Sequence, residues 1–532
     1  MKATARYAWL VLPESERKAF LEAVRPGVSP EHFERIAAMT EAFPEILDLL
    51  NRRDLSVDQL RKLVFGAPTE KTATVCPETQ EKIPPSSASG PRRKGHGRHG
   101  NLAYTGARRI KVNHPTLHAG HACPDCVKGK LRRQLKPAAA IRLQGQPPIT
   151  ATVHEMEVLR CTLCGKTFTA PTPAQAGTQK YDASVGVLVG LLRYGSGMPF
   201  YRLAQWQRNL GVPLPASTQW ELAQEIACQV EPVFEALARQ AAQAPTVHND
   251  DTTMRVGELR RQIQAETKPE RTGIFTTGVV AQPPEHPIVL FFTGRQHAGE
   301  NLGDVLQHRA KQLPPPLQMC DGLSRNEPKA TKTTLACCLA HGRRGFVNLA
   351  SRFPEQCRYV LESVREVYRC DAQAKEQGLP PAERLQLHQS QSRPIMDQLH
   401  NWLEKQIQDK LLEPNSGLGE AVDYMLGHWV ELTRFLKEPG TPLDNNLCER
   451  MLKTAILHRK NSLSYKTARG AKVGDIFMSL IQTCRLNQVN PFDYFMALVR
   501  QATEVKAQPE RWLPWNYHDA VSAPSSPQSD TS

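Results

Sequence analysis

Two cysteine pairs and three separated carboxylates carry the most specific chemistry in this sequence. Cys123-Pro-Asp-Cys126 and Cys161-Thr-Leu-Cys164 each hold two thiolates at the spacing of a metal knuckle, and Gly165 permits the turn behind the second. Together they complete a thiolate tetrahedron for one structural Zn²⁺; the longer than usual gap between the pairs is absorbed by strands and loops away from the metal. Their alternative reading is as buried or redox cysteines. Asp250, Asp321 and Glu449 offer hard oxygen ligands from separate elements. Three such groups can hold two Mg²⁺ or Mn²⁺ ions around a phosphate, one activating a water or 3′-hydroxyl and the other stabilising the leaving oxygen, with no covalent nucleophile. Each acid also has a plainer reading. Glu449 at the third helical position after an Asn446 cap would close a capping box, Asp250 and Asp251 fit a solvated turn, and Asp321-Gly322 is a common turn pair. Cys338-Leu-Ala-His341, followed by Arg343 and Arg344, resembles half a metal site; with no second pair nearby it reads as structural.

The carboxylates act together only if the fold gathers them. An extended run ends at Val247-His248-Asn249-Asp250, a second spans 272–280 and a third 288–292. A helix over about 300–313 and a short apolar strand, Leu317 to Cys320, lead into Asp321. Three strands, a helix and a fourth strand open an RNase H-like fold, an antiparallel meander extended by a parallel strand after a crossover. That order places Asp250 and Asp321 at the ends of neighbouring strands, and Glu449 arrives on a helix over about 446–457. Near Glu449, Arg450, Lys453, Arg459 and Lys460 are either phosphate-holding cations or a solvated basic face.

At 532 residues the chain needs several modules. The expected class is multidomain α+β. A helical N-terminal segment (1–70) and a basic flexible linker (71–118) precede a zinc ribbon (119–170) and a helical stretch (171–240). The RNase H-like α/β catalytic core (241–500) carries a helical insertion (352–440), and a tail (501–532) follows. Two short helices around Gly211 in the 171–240 stretch fit a helix-turn-helix or an ordinary helical hairpin. Sixty-seven Lys and Arg against 53 Asp and Glu give a net charge of +14. That excess is concentrated: no acid occurs between Lys82 and His121, where Arg92, Arg93, Lys94, Arg98, Arg108, Arg109 and Lys111 fall, a composition suited to nucleic-acid phosphates. Mean hydropathy of −0.45 and the lack of a long apolar run disfavour membrane insertion, and the N-terminus reads as no secretory signal. A cytoplasmic, nucleoid-associated protein is expected. Thirteen cysteines, most of them single within apolar segments, make no disulfide framework.

These residues resemble the large transposase of the insertion sequence 66 family over most of the chain. Leu60-Arg-Lys-Leu-Val-Phe-Gly66 is similar to its N-terminal helical segment and Cys123 to Phe168 to its zinc-binding domain. His248-Asn-Asp250-Asp-Thr252 and Asp321-Gly322 are similar to its two aspartate motifs, and Cys338-Leu-Ala-His341-Gly-Arg-Arg344 to the segment that follows. The most specific match is Pro442-Leu-Asp-Asn-Asn-Leu-Cys-Glu449-Arg450, with Arg459-Lys-Asn461 and Ser479-Leu-Ile-Gln-Thr483 downstream. Leu513-Pro-Trp-Asn516 resembles its C-terminal signature. Leu323 stands where that family usually has tyrosine, and Asp251 where it usually has glutamate. The resemblance implies a DDE transposase that binds the ends of a mobile element and performs metal-dependent cleavage and strand transfer. Asp250, Asp321 and Glu449 would be its ligands for two Mg²⁺ or Mn²⁺ ions. Double-stranded DNA at element ends and target, a homo-oligomer on that DNA, and small accessory proteins of the same element are the partners expected. The competing reading is a catalytically inactive zinc-ribbon protein that recognises or bridges element ends, against which the intact acidic triad speaks.

Overall fold

The computed structural model describes residues 21–30, 33–34, 115–122, 124–125, 128, 130–132, 148–160, 167–409, 411–413 and 415–522. The chain divides into two units, residues 1–81 and 82–532. In the first, Arg25–Gly27 forms one tight helical turn with the Arg25 guanidinium 5.4 Å from the Phe33 ring centre. The four cysteines of the expected zinc ribbon, the basic residues from Arg92 to Lys111, the expected helices around 35–65 and the end of the tail lie outside the described residues.

The second unit begins with small antiparallel pairings. A bridge joins Ala122 to Lys130, and strand β1 (Val158–Arg160) pairs with β2 (Thr167–Thr169). Helices α1 (Ala183–Gly190), α2 (Phe200–Asn209) and α3 (Ala216–Ala241) follow, then β3 (Thr246–Thr253), α4 (Gly257–Ala265), β4 (Phe275–Gln282), β5 (Ile288–Gly294), α5 (Ala298–Leu306), β6 (Leu317–Cys320) and β7 (Thr334–Cys337). The sheet order is β5-β4-β3-β6-β7, with β3, β4 and β5 an antiparallel meander and β6 and β7 parallel to β3. Next come α6 (Leu339–Leu349), α7 (Pro354–Glu376), α8 (Arg393–Gln408), α9 (Gly417–Gly427), α10 (Asn446–Ser462), α11 (Ala468–Leu486) and α12 (Pro491–Arg500), with short helical turns between and after them. The mixed sheet with helices on both sides is the α+β class expected. No helix among the described residues is long and apolar enough to cross a membrane.

The core explains two unusual elements. The edge strand β5 would leave a row of backbone N–H groups unpaired. Helix α11 runs antiparallel beside it, and Thr483 Oγ1, Ser479 Oγ and Asp475 Oδ2 accept from Val289, Phe291 and Thr293 N–H at 3.0, 2.8 and 2.7 Å. Four residues of helix advance about 6 Å and two of strand about 6.8 Å, so a polar residue every fourth position matches every second strand residue. That is why an otherwise apolar buried helix carries Asp475, Ser479 and Thr483. Helix α3 continues nine residues beyond Pro232, where sequence alone predicts a stop near Val230. Buried Val233, Phe234, Ala236 and Leu237 extend its apolar stripe and outweigh one lost backbone hydrogen bond. Gln219 Nε2 closes the α2–α3 turn by donating to Leu214 and Phe200 carbonyls at 2.8 and 3.1 Å. The exposed face of α3 bears Glu221, Glu225 and Glu235.

Other expectations need correction. Strand β3 runs past Asp250 to Thr253, because the Thr252-Thr253 end stays paired with β4. The crossover helix α5 ends at Leu306 rather than near Leu313, since the chain must turn before Pro314-Pro-Pro316. Helix α4 and strand β7 went unforeseen: one is nine mainly polar residues, the other four.

Candidate active site

Asp250 and Asp251 are neighbours on a strand, so their side chains leave opposite faces of the sheet. Asp250 lies opposite Gly278 of β4, and a Cβ built on Gly278 would stand 3.1 Å from Leu452 and 3.4 Å from Cys448 Sγ, both on α10. Asp250 therefore faces α10, and the missing side chain at Gly278 lets that helix settle onto the sheet, where the Cys448 thiol donates to the Gly278 carbonyl at 3.3 Å. Asp251 faces α5 instead. Its side chain is 3% exposed and held by His297 Nδ1 at 3.0 Å, with Arg325 Nη2 at 3.7 Å. It belongs to an ion cluster on the far face and not with Asp250.

Asp321 follows the end of β6, whose pairing with β3 stops at Met319–His248 and leaves the flank of Asp250 open. Gly322 then takes φ +80°, a left-handed turn that a side chain would strain. Asp321 Oδ1 accepts from Asn326 Nδ2 at 2.5 Å and from Leu323 N–H at 3.1 Å, while Tyr424 on α9 donates to the Asp321 carbonyl at 2.7 Å. Helix α9 thus braces this turn. Glu449 occupies the first turn of α10, whose cap is Asn445 rather than Asn446. The capping box is not formed, and the buried Glu449 Oε1 accepts no hydrogen bond among the described residues.

Asp321 and Glu449 both bear electrostatically on Asp250. Burial first, then the charge of Asp321, and further the charges of Asp251 and Glu449, push the Asp250 carboxyl up to about 7, against one backbone hydrogen bond from Asp251 N–H. No basic group figures among the influences on it. Of the three acids singled out in the sequence, Asp321 and Glu449 both bear on Asp250, which sits inside its strand and not at its end.

With this geometry in hand, comparison with known proteins is decisive. The profile described as "Transposase IS66 family" matches residues 180–473, more than half of the chain. The chain belongs to the IS66 family of transposases. Among curated relatives, "Uncharacterized protein y4hP" of Sinorhizobium fredii is 28% identical over 394 residues, covering 69% of this chain and 68% of the relative. "Uncharacterized protein y4jD" of the same organism is 25% identical over 524 residues, covering 90% and 97%.

Behind the carboxylates of this IS66 family member lies a buried amide network that the sequence did not announce. Asn445 Nδ2 donates to the Asn249 carbonyl at 3.0 Å, and its Oδ1 lies 3.1 Å from His248 Nδ1. Asn249 Nδ2 donates to the Asn326 carbonyl at 2.7 Å, and Gln318 Nε2 reaches both that carbonyl and Asn249 Oδ1, at 2.7 and 2.9 Å. The network ties β3, β6, the Asp321 turn and the start of α10 into one frame. His248 is buried, and its pKa is lowered by burial, partly opposed by its hydrogen bonds to Asn445 and Gln282. The signal available for these residues was their flanking positions in His248-Asn249-Asp250 and Asp444-Asn445-Asn446. Of the cations named beside Glu449, Arg450, Lys453 and Lys460 are exposed on α10. Arg459 is engaged: its Nη1 donates to Thr252 Oγ1 at 3.2 Å, Thr253 Oγ1 at 2.7 Å and the Thr253 carbonyl, tying α10 to the end of β3.

Proposed function

We propose that this transposase-family protein itself cuts and joins DNA, with Asp250, Asp321 and Glu449 as carboxylate ligands on an RNase H-like sheet. The observation that carries the reading is the Asp250 carboxyl, pushed up to about 7 by burial and by two acids from distant elements. A structural acid is ordinarily paired with a cation or fully hydrogen-bonded; a cluster of acids left to repel one another is the environment that divalent cations neutralise. All three offer hard oxygens, which fits Mg²⁺ or Mn²⁺. Such ions, when bound, supply activation of a water or 3′-hydroxyl and stabilisation of the leaving oxygen. The chain's own part is orientation. Asn326 and the Leu323 N–H hold one oxygen of Asp321, the frame of Asn445, Asn249 and Gln318 holds the strands, and Arg459 holds α10 in register with β3. Exposed Arg450, Lys453 and Lys460 would take DNA phosphates beside the acids.

The sheet order, a three-stranded meander extended by two parallel strands, supports the RNase H-like assignment. The hairpin pairing β1–β2 and the Ala122–Lys130 bridge enclose the two Cys-x-x-Cys segments in sequence, which supports one structural Zn²⁺ on Cys123, Cys126, Cys161 and Cys164. The basic run from Arg92 through Arg93, Lys94, Arg98, Arg108, Arg109 to Lys111 would add sequence-independent DNA affinity. Double-stranded DNA, a second copy of the chain and small accessory proteins complete the proposed assembly. The test is a cleavage and strand-transfer assay on element-end DNA with Mg²⁺ or Mn²⁺, changing each carboxylate in turn. Loss of cleavage with end-binding preserved supports the reading; normal strand transfer by Glu449→Gln overturns it. End-binding by a wild-type protein that cuts nothing would favour a non-catalytic role in bridging ends.

A further inference from the structure

Beside the three carboxylates the fold assembles a second set of donors of different chemistry. Cys338 is the cap of α6 and fully buried, His341 lies one turn further on, and Glu449 comes from α10; one ligand atom of each lies within 4.8 Å of the others. His341 Nδ1 stands 3.7 Å from Glu449 Oε1, too far for a hydrogen bond, and both atoms are buried without a hydrogen-bond partner among the described residues. A tetrahedral Zn²⁺ with bonds of about 2.0–2.3 Å separates its donors by about 3.3–3.8 Å, so only small side-chain rotations close this set. Thiolate, imidazole and carboxylate together select a borderline-soft cation, unlike the all-oxygen set of Asp250 and Asp321.

We propose that Cys338, His341 and Glu449 bind a Zn²⁺-class cation, and that its binding inhibits the enzyme by drawing the Glu449 carboxylate away from Asp250 and Asp321. The inhibition rests on the reading of Glu449 given above; the binding does not. Arg344 Nη1 lies 3.3 Å from His341 Nε2, the nitrogen that must carry the ring proton once a metal takes Nδ1. The guanidinium must swing aside, which makes this a weaker, exchangeable site in contrast to the four-thiolate ribbon.

The experiment is a Co²⁺ titration of the full chain followed through the thiolate-to-cobalt absorption band. A saturable band beyond that of Cys338→Ser is expected. It should weaken by roughly tenfold or more in His341→Ala, a partly exposed position that spares the fold if Cys338→Ser does not. Identical spectra in all three proteins overturn the site. Second, element-end cleavage in Mg²⁺ is read as the ratio with and without micromolar Zn²⁺. A ratio that falls about tenfold or more in the wild type but stays near one in His341→Ala supports the inhibition, and an equal fall in both overturns it. If the wild type cuts nothing in Mg²⁺, the reading of Glu449 as a catalytic ligand falls, and the cobalt band alone decides the site.

Discussion

Asp250 on β3, largely buried, and Asp475 on α11, fully buried, both have carboxyls pushed up to about 7, and they mean different things. Desolvation is the leading cause in each. Asp475 is then relieved: Thr293 donates to it through both its N–H and its hydroxyl, at 2.7 and 2.6 Å, and no acid adds to its burden. Asp250 is further burdened by Asp321, Asp251 and Glu449. One acid completes the pairing of an edge strand, whereas the other is kept in like-charged company that a bound proton or an added cation relieves. A raised carboxyl is therefore no sign of a reactive site until its neighbours are named.

The largest effect expected from this contrast is catalytic. Asp250→Asn or Glu449→Gln should lower element-end cleavage by roughly 10³-fold or more, the scale of a lost interaction worth about 4 kcal/mol in the transition state. Asp475→Asn keeps an acceptor for the Thr293 N–H, and its cleavage rate should stay within about tenfold of wild type. Equal losses in the two positions would erase the distinction.

Stability should divide them the other way. Asp475→Ala strands the Thr293 N–H in the interior and should cost about 2–4 kcal/mol in denaturant unfolding. Asp250→Asn should stabilise the metal-free protein. A carboxyl that ionises near 3.8 unfolded and near 7 folded makes the folded state progressively less stable as pH rises between those values, and the whole cost is present above 7. Removing it should gain about 1–3 kcal/mol at pH 8 and nothing at pH 4. An Asp250→Asn protein less stable than wild type at pH 8 would contradict the assignment.

A smaller, sharper test uses the cation itself. Saturating Mg²⁺ should raise the wild-type Tm more at pH 8 than at pH 6, by about 2–4 °C per kcal/mol of binding linkage, because at pH 6 the ion must displace the proton on Asp250. Asp475→Asn should keep this pH dependence and Asp250→Asn should lose it.

How far the sequence carried depended on whether function resided in a residue type or in a contact. The meander, the crossover and the three acids were legible because apolar runs alternate with turns and because hard ligands are few and specific types. Asn445 and Asn249 were legible only as neighbours of those acids; their role exists in hydrogen bonds between chain segments about 200 positions apart. The Asp475–Ser479–Thr483 ladder was hidden for a different reason, since polar residues at helical spacing ordinarily mark an exposed face and here they meet a strand edge. Capping at Glu449 was a fair local expectation, overruled because helix α10 starts one residue earlier, where the Asn445 side chain is drawn into the buried network.

The smallest predicted effect concerns how α10 carries Glu449 to Asp250. Gly278 is Asp250's cross-strand partner and faces the helix, and a methyl there would meet Leu452 at 3.1 Å and Cys448 Sγ at 3.4 Å. Leu452 is buried, so it cannot simply rotate into solvent; the helix must lift by a few tenths of an ångström. Gly278→Ala should therefore cost about 1 kcal/mol in stability, typical of mild overpacking. Its cleavage rate should fall by about tenfold, out of proportion to that cost, because displacement of a positioned ligand is felt steeply in rate. The pairing with Leu452 supplies the control. In a Gly278→Ala, Leu452→Ala double variant the added methyl has room, and cleavage should recover relative to Gly278→Ala even though the leucine truncation lowers stability by about 2–5 kcal/mol. Recovery of rate together with loss of stability would show that Gly278 serves the placement of Glu449; a double variant as slow as the product of the two single effects would assign Gly278 to packing alone.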